Sequence, residues 1–290
     1  MLSRRTSVLL LFVAASGAIA QTKYTFTTFS VPNSTYTDAI GINERGDVSG
    51  YYGVAAPGLS QGFLKSASGE ITIISYPGQS ATVTGGINDF GVIAGSYGTN
   101  TIGGFLYRNG SYKNVVVKGQ PALLNDINDE GYYVGAYGSI GSFTPFLASP
   151  TGEITDLQYP GAVWTQPLWV KGKGQVIGLY TDTYATNYTF LYSAAAGYKM
   201  LSIPGVPGAT IVDINSSGAI VGGYFNGVTD RGFVYQKGKF QIVVPPGFTD
   251  SGVSAINNKG QLVGTCSNPT STNFGFIATP AAASPPGAAR

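Results

Sequence analysis

The chain has 290 residues, 43% of them apolar and 10% charged, with a formal net charge of +2. That length and apolar content support a sizeable core, and no basic block marks a nucleic-acid surface. With no histidine and a single cysteine, Cys266, the sequence excludes Ser-His-Asp and Cys-His catalysis, histidine-held metals, thiolate zinc or iron–sulfur centres and any internal disulfide.

In chain order, residues 1–20 read as an export leader. Arg4 and Arg5 form a basic start, Val8 to Ala15 an apolar stretch, and Ala18-Ile-Ala20 a signal-peptidase site, with cleavage near Ala20. The expected product is a secreted or periplasmic bacterial protein. No later segment has 18 consecutive apolar residues, so no membrane insertion of the mature chain is expected. Lys23 to Val31 then reads as a lone strand, Lys-Tyr-Thr-Phe-Thr-Thr-Phe-Ser-Val.

From residue 35 onward the chain is a repeat. Its first anchor is an apolar residue before a tight turn, at Ile42, Ile87, Ile127, Val170, Ile214 and Ile256. Gly-Ile-Asn-Glu-Arg-Gly46 and Gly-Ile-Asn-Asp-Phe-Gly91 are two of the copies, and Trp-Val-Lys-Gly-Lys-Gly174 departs most. A second anchor is a phenylalanine, at positions 63, 105, 146, 190, 233 and 276. A third is a proline ahead of each copy, at positions 32, 77, 160, 204 and 246, with Lys118 replacing it once. Three markers in one register, at steps of 40 to 45 residues, indicate a repeat architecture.

Each period reads as four short strands. Residues 209–215, 219–225, 232–236 and 239–244 serve as the example, rich in β-branched and aromatic residues with Gly, Asn and Pro between them. The Asn-x-x-Gly step suits a type I turn, with the Asn side chain bonding to backbone two residues on and Gly accepting positive φ. Asn43, Asn88, Asn128, Asn215 and Asn257 are therefore read as turn chemistry, and Asn109-Gly110 and Lys237-Gly238 as hairpin turns. The expected fold is all-β: a six-bladed β-propeller of four-stranded antiparallel blades over residues 21–279. The sixth blade is completed by the N-terminal strand, because the last period ends after its third strand. A β-solenoid is the alternative. Residues 280–290, rich in Pro and Ala, are expected to be a disordered tail.

The register Ile-Asn-x-x-Gly-x-Val-x-Gly-x-Tyr, then Gly-Phe, then Pro-Gly, resembles the HAF-repeat family of bacterial extracellular proteins over roughly residues 23–279. The histidine of the family's His-Ala-Phe step is absent here, as in Gln-Gly-Phe63 and Arg-Gly-Phe233. The resemblance implies export and a propeller-like fold, and it implies no activity or functional residues.

Candidate functional residues follow from topology and from departures from the repeat. Both tight hairpins of a blade project to one face and the longer connections to the other, where binding residues would concentrate. Those longer loops are rich in Ser, Thr, Asn, Gly and Tyr, which suits a neutral hydroxylated ligand. Tyr52, Tyr97, Tyr137, Tyr180 and Tyr224 recur at one position, with Cys266 in the sixth copy, and read either as a stacking rim or as packing. In the fourth period Trp164, close to Asp182 and Tyr184, is the sharpest candidate patch, and Asp230 with Arg231 forms the most charged loop. Asp126 and Asp213 share a place just before Ile-Asn and are the alternative acid/base pair. Asp126 also opens a stretch like the start of a calcium loop, but Tyr137 stands where a bidentate Glu belongs. The expected function is a binding or scaffolding propeller, without cofactor or metal, monomeric, for a glycan or an extracellular protein. The alternative is a carboxylate-based glycoside hydrolase or polysaccharide lyase, and a third reading is a structural envelope protein.

Overall fold

The computed structural model describes residues 22–56, 58–98, 102–270 and 272–281. The leader reading of residues 1–20 and nearly all of the expected tail lie outside the described residues. The strands are β1 (Tyr24–Phe29), β2 (Thr37–Ile42), β3 (Val48–Gly53), β4 (Ser60–Lys65), β5 (Ile71–Ile74), β6 (Thr82–Ile87), β7 (Ile93–Tyr97), β8 (Gly103–Arg108) and β9 (Ser111–Val117). They continue as β10 (Gln120–Ile127), β11 (Tyr133–Ser139), β12 (Ser142–Ala148), β13 (Ile154–Asp156), β14 (Trp164–Lys171), β15 (Gln175–Thr181), β16 (Asn187–Ser193) and β17 (Gly197–Leu201). The last are β18 (Thr210–Ile214), β19 (Ile220–Phe225), β20 (Asp230–Gln236), β21 (Lys239–Val243), β22 (Asp250–Ile256), β23 (Leu262–Ser267) and β24 (Asn273–Pro280).

These strands form a propeller-like ring of four-stranded antiparallel blades. Three sheets run in sequence order, β2 to β5, β14 to β17 and β18 to β21. A fourth, β1-β24-β23-β22, takes its outer strand from the N-terminal end, with Tyr24 opposite Pro280 and Phe29 opposite Gly275. The unpaired strand expected at the start of the chain thus lies beside the last strand, which runs one residue beyond the expected domain end.

The fifth sheet has eight strands, β6 to β13, and the sequence reading did not anticipate it. Its two four-stranded runs are linked by two residue pairs, Gln120 with Val117 and Pro121 with Val116. The cause is the missing proline. Lys118 and Gly119 have φ of 48° and 76°, the two positive values that a tight type I′ hairpin requires. Elsewhere the proline ring holds φ at about −65° and cannot take the positive value this position requires.

The second anchors sit at the middle of the sheets. Phe63, Phe105, Phe146, Phe190, Phe233 and Phe276 are all fully buried. The first anchors lie at the ends of the innermost strands, with Lys171 extending β14 one residue past Val170, and a β-bulge precedes each, as at Ala39/Gly41 and Ile211/Asp213.

The asparagines do more than close their turns. Asn43 Oδ1 accepts from the amides of Arg45 and Asp47, both at 3.0 Å, the expected turn chemistry. Its Nδ2 donates to the carbonyl of Asn88 in the next unit. Asn88 does the same to Asn128, and Asn128 to Gly172. Asn215 donates to Asn257, and Asn257 to Asn43 at 3.0 Å, so the series runs across the join between the chain's two ends. It is interrupted where Lys171 replaces asparagine. A second series lies just outside it. Glu44 N–H donates to Asp89, Asp89 N–H to Asp129, Ser216 N–H to Asn258, and Asn258 N–H to Glu44. The turn carboxylates of Glu44, Asp89 and Asp129 are thus acceptors that tie neighbouring units together.

Candidate ligand-binding site

A cavity of about 560 Å³ occupies the end of the central channel that opens on the Asn-x-x-Gly turns. The residue just before each first anchor differs from unit to unit, and in four units it lines the cavity. Going round the ring these are Gly41, Gly86, Asp126, Trp169, Asp213 and Ala255. Three are small and three are large, and the large ones come from consecutive units.

The small residues make room for the large ones. A Cβ on Gly86 would lie 1.7 Å from Asp126 Oδ1 and 3.0 Å from Trp169 Cζ3. Trp169 therefore reaches across the channel, and it packs in one cluster with Ala39, Ile42, Val48, Phe63, Ala255 and Val263 from the far side. Its indole is 8% exposed.

The carboxylates are buried and partnered. Asp126 Oδ2 accepts the Val170 amide at 2.9 Å. Asp213 accepts the Ile256 amide at 3.0 Å and its neighbour Ile214's amide at 2.7 Å. Lys171, in the place where the repeat has asparagine, puts Nζ 3.1 Å from Asp213 Oδ1, with the lysine side chain 41% exposed and the aspartate 1%. Burial pushes the Asp126 carboxyl up to about 7, and the Asp213 charge adds to this. The Lys171 charge and the amides of Val170 and Ile127 pull the other way. Burial lowers the Lys171 value, but the Asp213 and Asp126 carboxylates outweigh it and hold the group above the ordinary lysine range. Lys171 is thus a fixed cation with N–H groups facing the cavity, not an amine nucleophile.

Six of the 14 acidic residues, Glu44, Asp89, Asp126, Asp129, Glu130 and Asp213, line this cavity beside one lysine. The arrangement offers Lys171 as a half-exposed donor, Asp126 and Asp213 as buried carboxylates, the turn carboxylates and carbonyls as acceptors at the mouth, and an apolar wall of isoleucines and Trp169. No group of three or more metal-ligating side chains occurs among the described residues.

The residues singled out from sequence divide between two faces. Asp126 and Asp213 both line the cavity. Trp164, Asp182, Tyr184, Asp230 and Arg231 lie at the opposite, loop end. Trp164 stands opposite Thr181 and is 46% exposed. Asp182 Oδ1 caps its own loop by accepting from the amides of Tyr184 and Thr186, both at 2.9 Å. Arg231 donates to the carbonyl of Thr249. The recurrent tyrosines pack rather than form a rim. Tyr97 stacks on Tyr76 at 3.9 Å and Tyr180 on Tyr159 at 3.7 Å. Tyr137 is buried and donates to Asp156 Oδ1 at 3.1 Å, Tyr224 meets Phe240 edge-on, and Tyr52 packs against the first sheet's core.

Sequence reasoning missed Trp169 and Lys171 as site residues, although both stood out as departures from the repeat. The signal that finds them is the residue before each anchor, compared around the ring as one level.

No family model matches the sequence, and no curated protein matches it either. Solved structures resemble it in fold. TolB from Acinetobacter baumannii aligns with a TM-score of 0.52 and 12% identity, covering 84% of this chain and 63% of that one. XC5397 from Xanthomonas campestris, described as a gluconolactonase, aligns at 0.55 with 10% identity over 89% of this chain and 90% of that one. The β-propeller domain of the Trilobed protease from Pyrococcus furiosus aligns at 0.55 with 9% identity over 86% and 94%. This chain spans less than two thirds of that TolB's length. At such identities the likeness is one of fold, the β-propeller, and no helix among the described residues is long and apolar enough to cross a membrane.

Proposed function

We propose that this is an exported, six-bladed propeller of the HAF-repeat type that binds a small hydroxylated ligand, such as the end of a glycan, in its central channel. The observation that carries the reading is the level formed by Asp126, Trp169 and Asp213 facing Gly41, Gly86 and Ala255, with Lys171 beside it. The repeat does not need these residues, since other units fold with glycine or alanine there. Together they furnish a cavity of ligand size, donors and acceptors for hydroxyl groups, and an aromatic wall for apolar ring faces. The channel is a better candidate than the loop-end patch around Trp164, because its polar groups and Trp169 line one cavity of about 560 Å³.

Tryptophan fluorescence tests this directly. In Trp164→Phe the remaining tryptophan is Trp169, which reports from the cavity wall. Titration with a panel of mono- and oligosaccharides should give a saturable change in this variant, and Lys171→Met should abolish it. A panel that leaves Trp169 emission unchanged, or a response that survives Lys171→Met, removes the channel as the site.

One observation favours a second reading, the carboxylate-based hydrolase or lyase. Asp126, with its carboxyl pushed up to about 7, holds a proton near neutral pH and stands by a second carboxylate, the pattern of a general acid and its partner. Product analysis on the same samples separates the two. Cleavage that Asp126→Asn abolishes would establish the enzyme, and saturable binding without products would establish the binding protein.

A further inference from the structure

We infer that the loop end of the ring is a self-association surface, and that two copies of this chain pair face to face through it. The exposed large apolar side chains are not spread evenly. Ile140 (66% exposed), Val163 (64%), Trp164 (46%), Tyr184 (87%), Phe225 (63%) and Val228 (82%) all lie on this one end. They belong to three consecutive four-stranded units. Ile140 sits between β11 and β12, Val163 and Trp164 at the start of β14, Tyr184 between β15 and β16, and Phe225 and Val228 between β19 and β20. In the other half of the ring no loop residue at this end among those described is of this kind, and exposed strand residues there such as Val83 (38%) and Val116 (57%) stand apart from the loops.

Folding does not require this grouping. Trp164 could be any strand former opposite Thr181, and Tyr184 and Val228 stand on loop tips. At about 150–250 Å² for each aromatic side chain, scaled by its exposure, Trp164, Tyr184 and Phe225 together present roughly 300–500 Å². Ile140, Val163 and Val228 add to this, and the sum approaches the ~800 Å² that each partner contributes to a stable interface.

The charges nearby select the occupant. A membrane-binding surface carries lysine and arginine around its apolar part. Here Arg231 is the adjoining cation, while Asp182 and Asp230 are anions. Both signs on one patch make it complementary to itself under a two-fold axis, where each copy's arginine faces carboxylates of the other. Pairing at this end leaves both channel mouths open at opposite ends of the dimer, so the surface is independent of the ligand site.

The test is the mass of the purified protein in solution, by sedimentation equilibrium from about 1 to 100 µM. The expected result is twice the monomer mass, and the monomer for the doubly substituted Tyr184→Ser/Val228→Ser. Both substitutions lie at exposed loop positions, so the variant's unfolding midpoint should match the parent's, and its binding of any channel ligand should be unchanged. A parent that stays monomeric throughout overturns the inference, including if it then binds lipid vesicles or another protein. So does a dimer that the double substitution leaves intact.

Discussion

Replacing Asp126 with asparagine should raise stability by less than about 1 kcal/mol near pH 4 and by about 4 kcal/mol near pH 8. An aspartate in the unfolded chain titrates near 3.8, whereas burial holds the folded Asp126 carboxyl up to about 7. Below the lower value both states are protonated and the group contributes nothing to pH dependence. Between the two, the folded protein keeps a proton that the unfolded chain has released, so stability falls as pH rises. Above the upper value both states are ionised and the loss is complete. The separation, at 1.36 kcal/mol per tenfold change in proton affinity, comes to about 4 kcal/mol. Asparagine has nearly the same shape and still offers an oxygen to the Val170 amide, so it mimics the protonated acid at every pH. Urea unfolding of parent and variant, followed by fluorescence at several pH values from about 4 to 8, gives the difference directly, and other titrating groups cancel. A difference that stays flat, or a variant less stable than the parent at pH 8, would refute the reasoning. Asp126 would then be ionised in the folded protein, with Lys171 neutralising two carboxylates rather than one.

Two further substitutions test the architecture. Asn257→Ala removes the 3.0 Å bond to the Asn43 carbonyl that joins the two ends of the chain. It also removes the acceptor for the Gln261 amide. At about 1 kcal/mol for each buried bond, plus the cost of an unsatisfied carbonyl, the expected loss is roughly 2–3 kcal/mol in urea unfolding. A loss under about 0.5 kcal/mol would show that the asparagine series does not hold the ring closed. Gly86→Ala places a methyl 1.7 Å from Asp126 Oδ1 and 3.0 Å from the Trp169 ring, so either the carboxyl or the strand must move. A loss of roughly 1–3 kcal/mol with altered Trp169 emission is expected, and normal stability and emission would mean that the two side chains are not held against this strand.

Much of the fold could be read from the chain because it is fixed by local chemistry. The Asn-x-x-Gly turn works within five residues, and six phenylalanines in register had to mark sheet centres. The count of strands per period likewise predicted that the N-terminal strand would lie beside β24. What escaped was whatever depends on residues one repeat apart. The Asn side-chain amides donate to units about 43 residues away, which no turn rule anticipates. The β9–β10 hairpin arose because Lys118-Gly119 stood where the other connections have proline. That exception was visible, but its effect depends on which strand ends lie close enough to pair. The recurrent tyrosines left a rim and packing both open, with recurrence favouring packing, and Tyr97 and Tyr180 do stack on Tyr76 and Tyr159.

The same contrast locates the site. In a repeat protein, the residues that every unit shares report on folding, and the residues that one unit changes report on something else. Lys171 is the strongest such change. It removes the side-chain amide that would have continued the asparagine series from this unit to the next, so the series enters the fourth unit at Gly172 and does not leave it. In exchange the ring acquires an ion pair with a buried aspartate. Such a pair is a weak source of stability, because removing its charges from water offsets most of their attraction. A fold selected for stability alone would keep asparagine at this position and a small residue in place of Asp213, as other units do. The Lys171–Asp213 pair, set beside Asp126 and Trp169 in a level whose other members shrink to glycine and alanine, is better explained by what the cavity holds than by what the ring requires.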